Sequence, residues 1–178
     1  PHVAKRHAVQ GVILMAGPGR ALDVLVREQM IYKHTLTGKS AEEAAQTVDA
    51  GIGKLFKQAR AGELPGSARI MGATVTYWKS MFHYEDVPAA VAAIKHPVLL
   101  LQGDKDYQVT TVDYGLLKTA LESRKGPVHE AHLFKDQNHL FMNCRGKSTG
   151  AEYMIKGHME PKAISTVAAW IKKTADAQ

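Results

Sequence analysis

Pro97-Val98-Leu99-Leu100-Leu101-Gln102-Gly103 is the stretch that decides the fold. It begins at a proline, which the first position of a strand tolerates, and ends at a glycine, where the backbone can turn. The apolar run between them predicts a strand that is buried on both faces, as in a parallel sheet. Residues 9–16 repeat this pattern before the turn at residues 17–19, whereas residues 128–134 alternate only in part. We therefore predict three strands, with the last one nearer to the edge of the sheet.

The residues between and after these runs change to a helical period. Ser40 and Glu43 have capping-box spacing at the start of residues 41–61, and further helices are expected at residues 88–94, 110–121 and 161–171. Residues 20–95 thus form a helical insertion between two strands. Strands that alternate with helices predict right-handed crossovers and a parallel sheet, so the chain is expected to be a single α/β domain over residues 1–178.

Composition limits the function classes. The chain has 178 residues, of which 45% are hydrophobic and 22% charged, with a mean hydropathy of -0.22. No apolar run approaches the roughly 20 residues that a membrane span needs. The net charge of +6 is scattered along the chain, which argues against nucleic acid as a partner. The single cysteine allows no intrachain disulfide, so a cytoplasmic location is the default expectation.

Carboxylates and a histidine follow two successive strands. Asp104 and Asp106 come directly after residues 97–103, and His139 follows residues 128–134. Because the carboxyl ends of parallel strands meet at one edge of a sheet, an aspartate and His139 can come together there. A carboxylate that accepts a hydrogen bond from imidazole fixes its tautomer and stabilises the imidazolium form during nucleophilic catalysis. The alternative is that these aspartates merely cap a turn or pair with Lys105.

Several segments carry a resemblance to a known family. Residues 96–110 (HPVLLLQGDKDYQVT), 136–141 (DQNHLF) and 146–171 (GKSTGAEYMIKGHMEPKAISTVAAWI) resemble the C-terminal half of a bacterial α/β-hydrolase of the serine esterase and dienelactone-hydrolase-like group. Residues 9–30 resemble its sixth strand and the start of its helical cap, and residues 73–103 resemble the return of the cap into the seventh strand. The resemblance implies a partial α/β-hydrolase fold with a cap at residues 20–95. It also implies hydrolysis of carboxylic esters through a Ser-His-Asp triad.

The triad of this family is carried over residue by residue. The resemblance implies that Asp106, rather than Asp104, is the acid and that His139 is the base. The family's nucleophile is a serine in a Gly-x-Ser-x-Gly turn, and we assign none of this chain's serines to such a turn: Ser40, Ser67, Ser80, Ser123, Ser148 and Ser165. We therefore expect the nucleophile and the oxyanion hole to lie outside this chain.

Two readings of the incomplete triad stay open. The sequence opens at Pro1 rather than Met, which suggests a truncation. In the first reading, an N-terminal half of the hydrolase supplies the serine. In the second, the chain is a catalytically inactive truncated α/β-hydrolase that self-associates or acts as a binding module. A basic surface that binds anionic polymers is a weaker third possibility.

Other reactive side chains have less support. Tyr77 and Trp78 lie in an aromatic cluster that could line an acyl pocket, although packing of the cap explains most of that cluster. Cys144 could replace the serine, but a buried or merely exposed thiol is the better interpretation. His129 and His132 would point to opposite faces of a strand, so no metal site is expected, and no organic cofactor is implied.

Overall fold

The computed structural model describes residues 3–4, 6–84 and 86–176. Helices and short strands alternate along these residues, with a π-helical turn at Asp49–Gly53 and a 3₁₀ turn at Ala151–Met154. In chain order the remaining elements are β1 (Val12–Met15), α1 (Leu22–Leu36), α2 (Ala41–Val48), α3 (Lys54–Ala61), β2 (Arg69–Ile70), β3 (Ala73–Thr74), α4 (Val75–Phe82), α5 (Val87–Ala92), β4 (Val98–Gly103), α6 (Thr111–Glu122), β5 (His129–Phe134) and α7 (Pro161–Asp176). No helix within these residues is long and apolar enough to cross a membrane.

The three predicted strands form one parallel sheet in the order β1-β4-β5. The predicted α/β fold and the edge position of β5 are thereby confirmed. β4 pairs with both neighbours, for example Leu100 with Leu14 and with Ala131, and all six of its residues are buried. The first strand is shorter than predicted, because residues 9–11 and Ala16 lie outside the regular ladder.

The side chains of β4 alternate between two cores. Val98 and Leu100 pack on one face, together with Leu117 and Leu121 of α6 and buried residues of α5. Leu99 and Leu101 point to the other face, where they meet Trp170 of α7. A parallel sheet that is covered on both faces needs apolar side chains on both, which explains the continuous apolar run in this strand.

Contacts between residues divide the chain into two compact units. The first contains the parallel sheet and takes in the described residues up to Gly19 and from Val87 onward, and the second is Arg20–Asp86. In the second unit α1, α2, α3 and α4 accompany a β2–β3 hairpin that the sequence analysis did not predict. Its core comprises Val26, Phe56, Ala59, Ile70, Val75 and Trp78.

The capping box predicted for the second unit is present. Ser40 Oγ accepts a hydrogen bond from the Glu43 backbone, and the Glu43 carboxylate accepts one from the Ser40 backbone. Gly51 and Gly53 predict an interruption of the helical segment that begins there, and a π-helical turn at Asp49–Gly53 does separate α2 from α3. Gly62 then ends α3 with a φ of 79°, a conformation that glycine adopts without strain.

Candidate active site

Two loops leave the carboxyl ends of β4 and β5 and are held together by hydrogen bonds. The backbone N–H of Lys105 donates to the carbonyl of Gln137 over 2.9 Å. The backbone N–H of Asp136 donates to the Asp104 carboxylate over 2.7 Å. We call residues 104–110 the acid loop and residues 135–143 the histidine loop. Their mutual contacts fix the distance between any side chains they present.

Gly103 ends β4 at a point where the histidine loop comes close to the strand backbone. A Cβ atom at this residue would overlap with the carbonyl oxygen of Gln137 and would lie 2.8 Å from the carbonyl oxygen of Asn138. Real Cβ atoms essentially never come that close to backbone. Only glycine therefore fits between the end of β4 and the histidine loop.

Asp106 and His139 meet across the two loops. The ring nitrogen Nδ1 of His139 lies 2.8 Å from Oδ2 of Asp106. The carboxylate is an acceptor, so Nδ1 carries the proton and Nε2 is left as the basic nitrogen. The Asp106 side chain is fully buried, whereas the His139 side chain is 29% exposed. None of the described residues hydrogen-bonds to Nε2, so this nitrogen can receive a proton from a reacting group.

The Asp106 carboxylate is held by further hydrogen bonds within its own loop. Oδ1 accepts the backbone N–H groups of Gln108, over 2.8 Å, and of Val109, over 3.0 Å. Oδ2 accepts, besides His139, the side-chain amide of Gln102 over 2.8 Å. Hydrogen bonds to both oxygens hold the carboxylate in one orientation. The acid loop is thus preorganised around one carboxylate.

The histidine is presented by a tight turn built on Asn138. Asn138 is fully buried, and its Oδ1 accepts the backbone N–H groups of Leu140 and Met142. Phe141 takes a positive φ of 56°, and its carbonyl accepts the backbone N–H of Glu160. The side-chain carbonyl of Asn138 replaces a backbone acceptor in this turn, which fixes the direction of the adjacent His139.

Asp104 has a different role from Asp106. Its carboxylate accepts the backbone N–H of Asp136, and Lys105 pairs at 3.8 Å with the Asp136 side chain. Both contacts join the acid loop to the histidine loop. Asp104 therefore links the two loops and caps no turn of its own, whereas Asp106 both caps its own loop at Gln108 and Val109 and contacts the histidine.

One serine was passed over wrongly in the sequence analysis. Gly146-Lys147-Ser148-Thr149-Gly150 does match Gly-x-Ser-x-Gly letter for letter. In the structure this segment lies in bends between the histidine loop and the 3₁₀ turn, instead of on a sharp turn from a strand into a helix. Ser148 is buried, and its hydroxyl donates to the carboxylate of Glu152. Ser148 does not lie on the strand-to-helix turn of a nucleophile elbow, so its match to the Gly-x-Ser-x-Gly motif does not identify it as a nucleophile.

Cys144 is unsuited to act as a substitute nucleophile. It is 5% exposed, and burial raises the pKa of its thiol, with the nearby Glu152 charge adding to the shift. A thiol with a raised pKa is a poor nucleophile, because the thiolate is the reactive form.

Tyr77 and Trp78 lie in α4 of the second unit. In the sequence, both are distant from the acid loop and from the histidine loop. The Tyr77 side chain is exposed, whereas Trp78 is 4% exposed and donates its indole N–H to the carbonyl of Ile70 over 2.9 Å. Trp78 also contacts Phe56 edge to face. Trp78 is thus a core residue of its unit, and contact of either residue with a substrate stays a prediction.

Two supporting residues of the site were missed by sequence reasoning. Gln102 and Asn138 touch the pair or its turn, but amides have no catalytic chemistry of their own that would single them out. The available signal was position: Gln102 is the polar residue of a strand buried on both faces, and Asn138 precedes the histidine. Among the described residues, no three His, Cys, Asp or Glu side chains lie close enough together to hold a metal ion.

The chain is similar to known proteins over nearly its whole length. The sequence profile of the prolyl oligopeptidase family matches residues 52–178. Esterase EstD from Thermotoga maritima is 33% identical over 174 residues, which are 97% of this chain and 40% of that esterase. The chain therefore spans less than half the length of this curated relative.

Proposed function

Because this chain belongs to the prolyl oligopeptidase family of α/β-hydrolases, we propose that it carries the acid and the base of a Ser-His-Asp triad for acyl hydrolysis. The observation that carries the proposal is the 2.8 Å contact between His139 Nδ1 and the buried Asp106 Oδ2. The partly exposed imidazole combined with a buried carboxylate is the arrangement that general base catalysis needs.

In the proposed reaction, His139 moves protons and Asp106 orients it. Nε2 takes the proton of a serine hydroxyl while the serine oxygen attacks the acyl carbon of the substrate. The imidazolium then gives this proton to the leaving alkoxide, and an acyl-enzyme ester remains. Water attacks that ester in the second half, with His139 again taking a proton and returning it to the serine oxygen. Asp106 stays ionised throughout and stabilises the imidazolium.

The nucleophilic serine is proposed to come from a segment outside these 178 residues. Ser148 does not lie on a strand-to-helix turn, and Cys144 is buried with a raised pKa. The chain spans 40% of the length of its esterase relative, which leaves room for a further segment of the same protein. The N-terminal half of the hydrolase is therefore the proposed partner, and it would also supply the oxyanion hole.

The proposed substrates are small carboxylic esters, in line with the printed name of the relative. Tyr77 is the better candidate for contact with the acyl group, because its side chain is exposed while Trp78 is buried. No cofactor is needed for this chemistry. Cytoplasm is the proposed location, since a single cysteine requires no oxidising compartment.

The test is a p-nitrophenyl ester assay combined with fluorophosphonate labelling of the chain alone and of the chain joined to its nucleophile-bearing segment. We expect labelling and turnover only in the joined protein. His139→Ala should abolish both, whereas His83→Ala is the matched control, because His83 is exposed and belongs to the second unit. Turnover that survives His139→Ala would exclude this mechanism.

A non-catalytic function is the other outcome of this test. Among the described residues β1 and β5 each have one neighbouring strand, which leaves an open edge that another chain could cover. If the joined protein is neither labelled nor active and the chain self-associates in size-exclusion light scattering, an inactive assembly module replaces the hydrolase proposal.

A further inference from the structure

Gln102 is a buried amide at the carboxyl end of β4. Its side chain points to the same face of the sheet as Val98 and Leu100, and the residue is 1% exposed. Burial of an amide among apolar side chains is unfavourable unless its polar atoms are hydrogen-bonded. The position would be filled at lower cost by leucine, as the three preceding residues are.

The orientation of the Gln102 amide is fixed by the backbone. Nε2 donates to the carbonyl of Val109 over 2.8 Å and to Oδ2 of Asp106 over 2.8 Å. Rotation of the amide by 180° would place its oxygen against two acceptors, so the nitrogen must face the carboxylate. The carbonyl of Val109 thus directs a hydrogen-bond donor at the oxygen that also contacts His139.

The other atom of the amide is left unsatisfied. Oε1 of Gln102 is buried and finds no hydrogen-bond partner among the described residues. An unpaired buried acceptor lowers stability, and such a group in a folded protein calls for an explanation. The donor side of the same amide offers one, because it acts on the carboxylate of the proposed acid.

We infer that Gln102 is a positioning residue, which holds Oδ2 of Asp106 toward His139 and moderates the negative charge on that oxygen. The inference rests on the proposed function of the pair. The amide dipole offsets part of the carboxylate charge, so the imidazolium is bound less tightly than by an unmodified carboxylate.

The test is the pKa of His139 in the full 178-residue chain, followed through its ring proton resonance and assigned by its loss in His139→Ala. Gln102→Met keeps the volume and removes the donor, and we expect the pKa of His139 to rise by about 0.5–1 unit. Val98→Ala is the matched control, because it removes buried apolar contacts on the same face of β4 but at the opposite end of the strand. The neighbouring titratable groups are the same in all variants: Asp104, Lys105, Asp136, Cys144, Glu152 and Tyr153.

Gln102→Leu is the second variant, in case the methionine variant does not fold. It also removes the donor beside Oδ2, and the pKa of His139 should rise as in Gln102→Met. An unchanged or lowered pKa, or an equal shift in Val98→Ala, would overturn the inference. In the chain joined to its nucleophile segment, the acid limb of kcat/KM should move up with the pKa, so that kcat/KM on this limb falls about 3- to 10-fold. Absence of turnover in the wild type would reject the proposed function, while the resonance titration would still decide the role of Gln102.

Discussion

Replacement of Asp106 by asparagine is the most informative single change, because the structure dictates how the new side chain must lie. Oδ1 of Asp106 accepts two backbone N–H groups, and Oδ2 accepts Gln102 and His139. In one orientation the asparagine NH₂ group would face the two backbone N–H donors, and each of these two donor–donor contacts would cost about 1–3 kcal/mol. In the other orientation the NH₂ group faces only one fixed donor, the amide of Gln102, because the imidazole can change its tautomer and accept a hydrogen bond. The NH₂ group must therefore face His139.

The consequence is a histidine in the wrong tautomer. The asparagine NH₂ donates to Nδ1 of His139, so the ring proton moves to Nε2, which can no longer accept the proton of the nucleophile. The same change in a well-studied Ser-His-Asp protease lowers kcat by about 10⁴. We expect a loss of similar size in Asp106→Asn, which corresponds to about 5.4 kcal/mol in the activation barrier.

The assay is hydrolysis of a short p-nitrophenyl ester at pH 7.5 by the chain joined to its nucleophile-bearing segment. Asp104→Asn is the matched control, because the side-chain oxygen that accepts the Asp136 backbone is retained, and kcat should stay within about threefold of the wild type. A ring nitrogen spectrum of His139 in Asp106→Asn should show the proton on Nε2. The assignment of the acid would be refuted if Asp106→Asn retained more than a tenth of the wild-type kcat. It would also be refuted if Asp104→Asn lowered kcat more than Asp106→Asn does.

Five further substitutions, grouped in three tests, probe the rest of the structure. Gly103→Ala should lower the free energy of unfolding by about 1–3 kcal/mol in denaturant titrations, since its Cβ would overlap with the histidine loop; Gly115→Ala in α6, where a Cβ meets no atom within 4 Å, should instead raise it by about 0.5–1 kcal/mol. Trp78→Ala should cost about 3–5 kcal/mol in the same titration. Tyr77→Ala should cost only about 0.5–1.5 kcal/mol, from the lost edge-to-face contact with Trp78, and should raise KM for the ester; an unchanged KM would exclude Tyr77 from the acyl site. Burial opposes ionisation of Glu152, but hydrogen bonds from Ser148 and from the backbone of Thr149 and Gly150 outweigh it and lower the pKa of this carboxyl. Its stabilising contribution is therefore present above the unfolded-state pKa and lost as the pH falls through the lower folded-state value, so the stability difference between the wild type and Glu152→Gln at pH 7 should shrink at pH 3, and a difference that persists there would contradict this account.

The sequence alone was sufficient for the sheet and for the order of its elements. Residues 98–101 are apolar on both faces, as expected of a strand that is covered by helices on both sides. The capping box at Ser40 and Glu43 was readable because capping depends on residues three positions apart. The β2–β3 hairpin escaped prediction, because two-residue strands are too short to show a period.

Some features of the candidate site could likewise be predicted from the sequence, and others are visible only in the tertiary structure. His139 and the two aspartates Asp104 and Asp106 could be proposed from the sequence, because their chemistry and their places after successive strands are local properties, whereas the choice of Asp106 came from the resemblance to α/β-hydrolases. The need for glycine at residue 103, the orientation of Gln102, the burial of Trp78 and the setting of Ser148 required the tertiary structure. Each of these depends on contacts between atoms of residues that are apart in the sequence, such as Gly103 with Gln137 or Ser148 with Glu152. A letter pattern such as Gly-x-Ser-x-Gly cannot report such contacts, since its chemistry comes from a strand-to-helix turn that only the folded backbone provides.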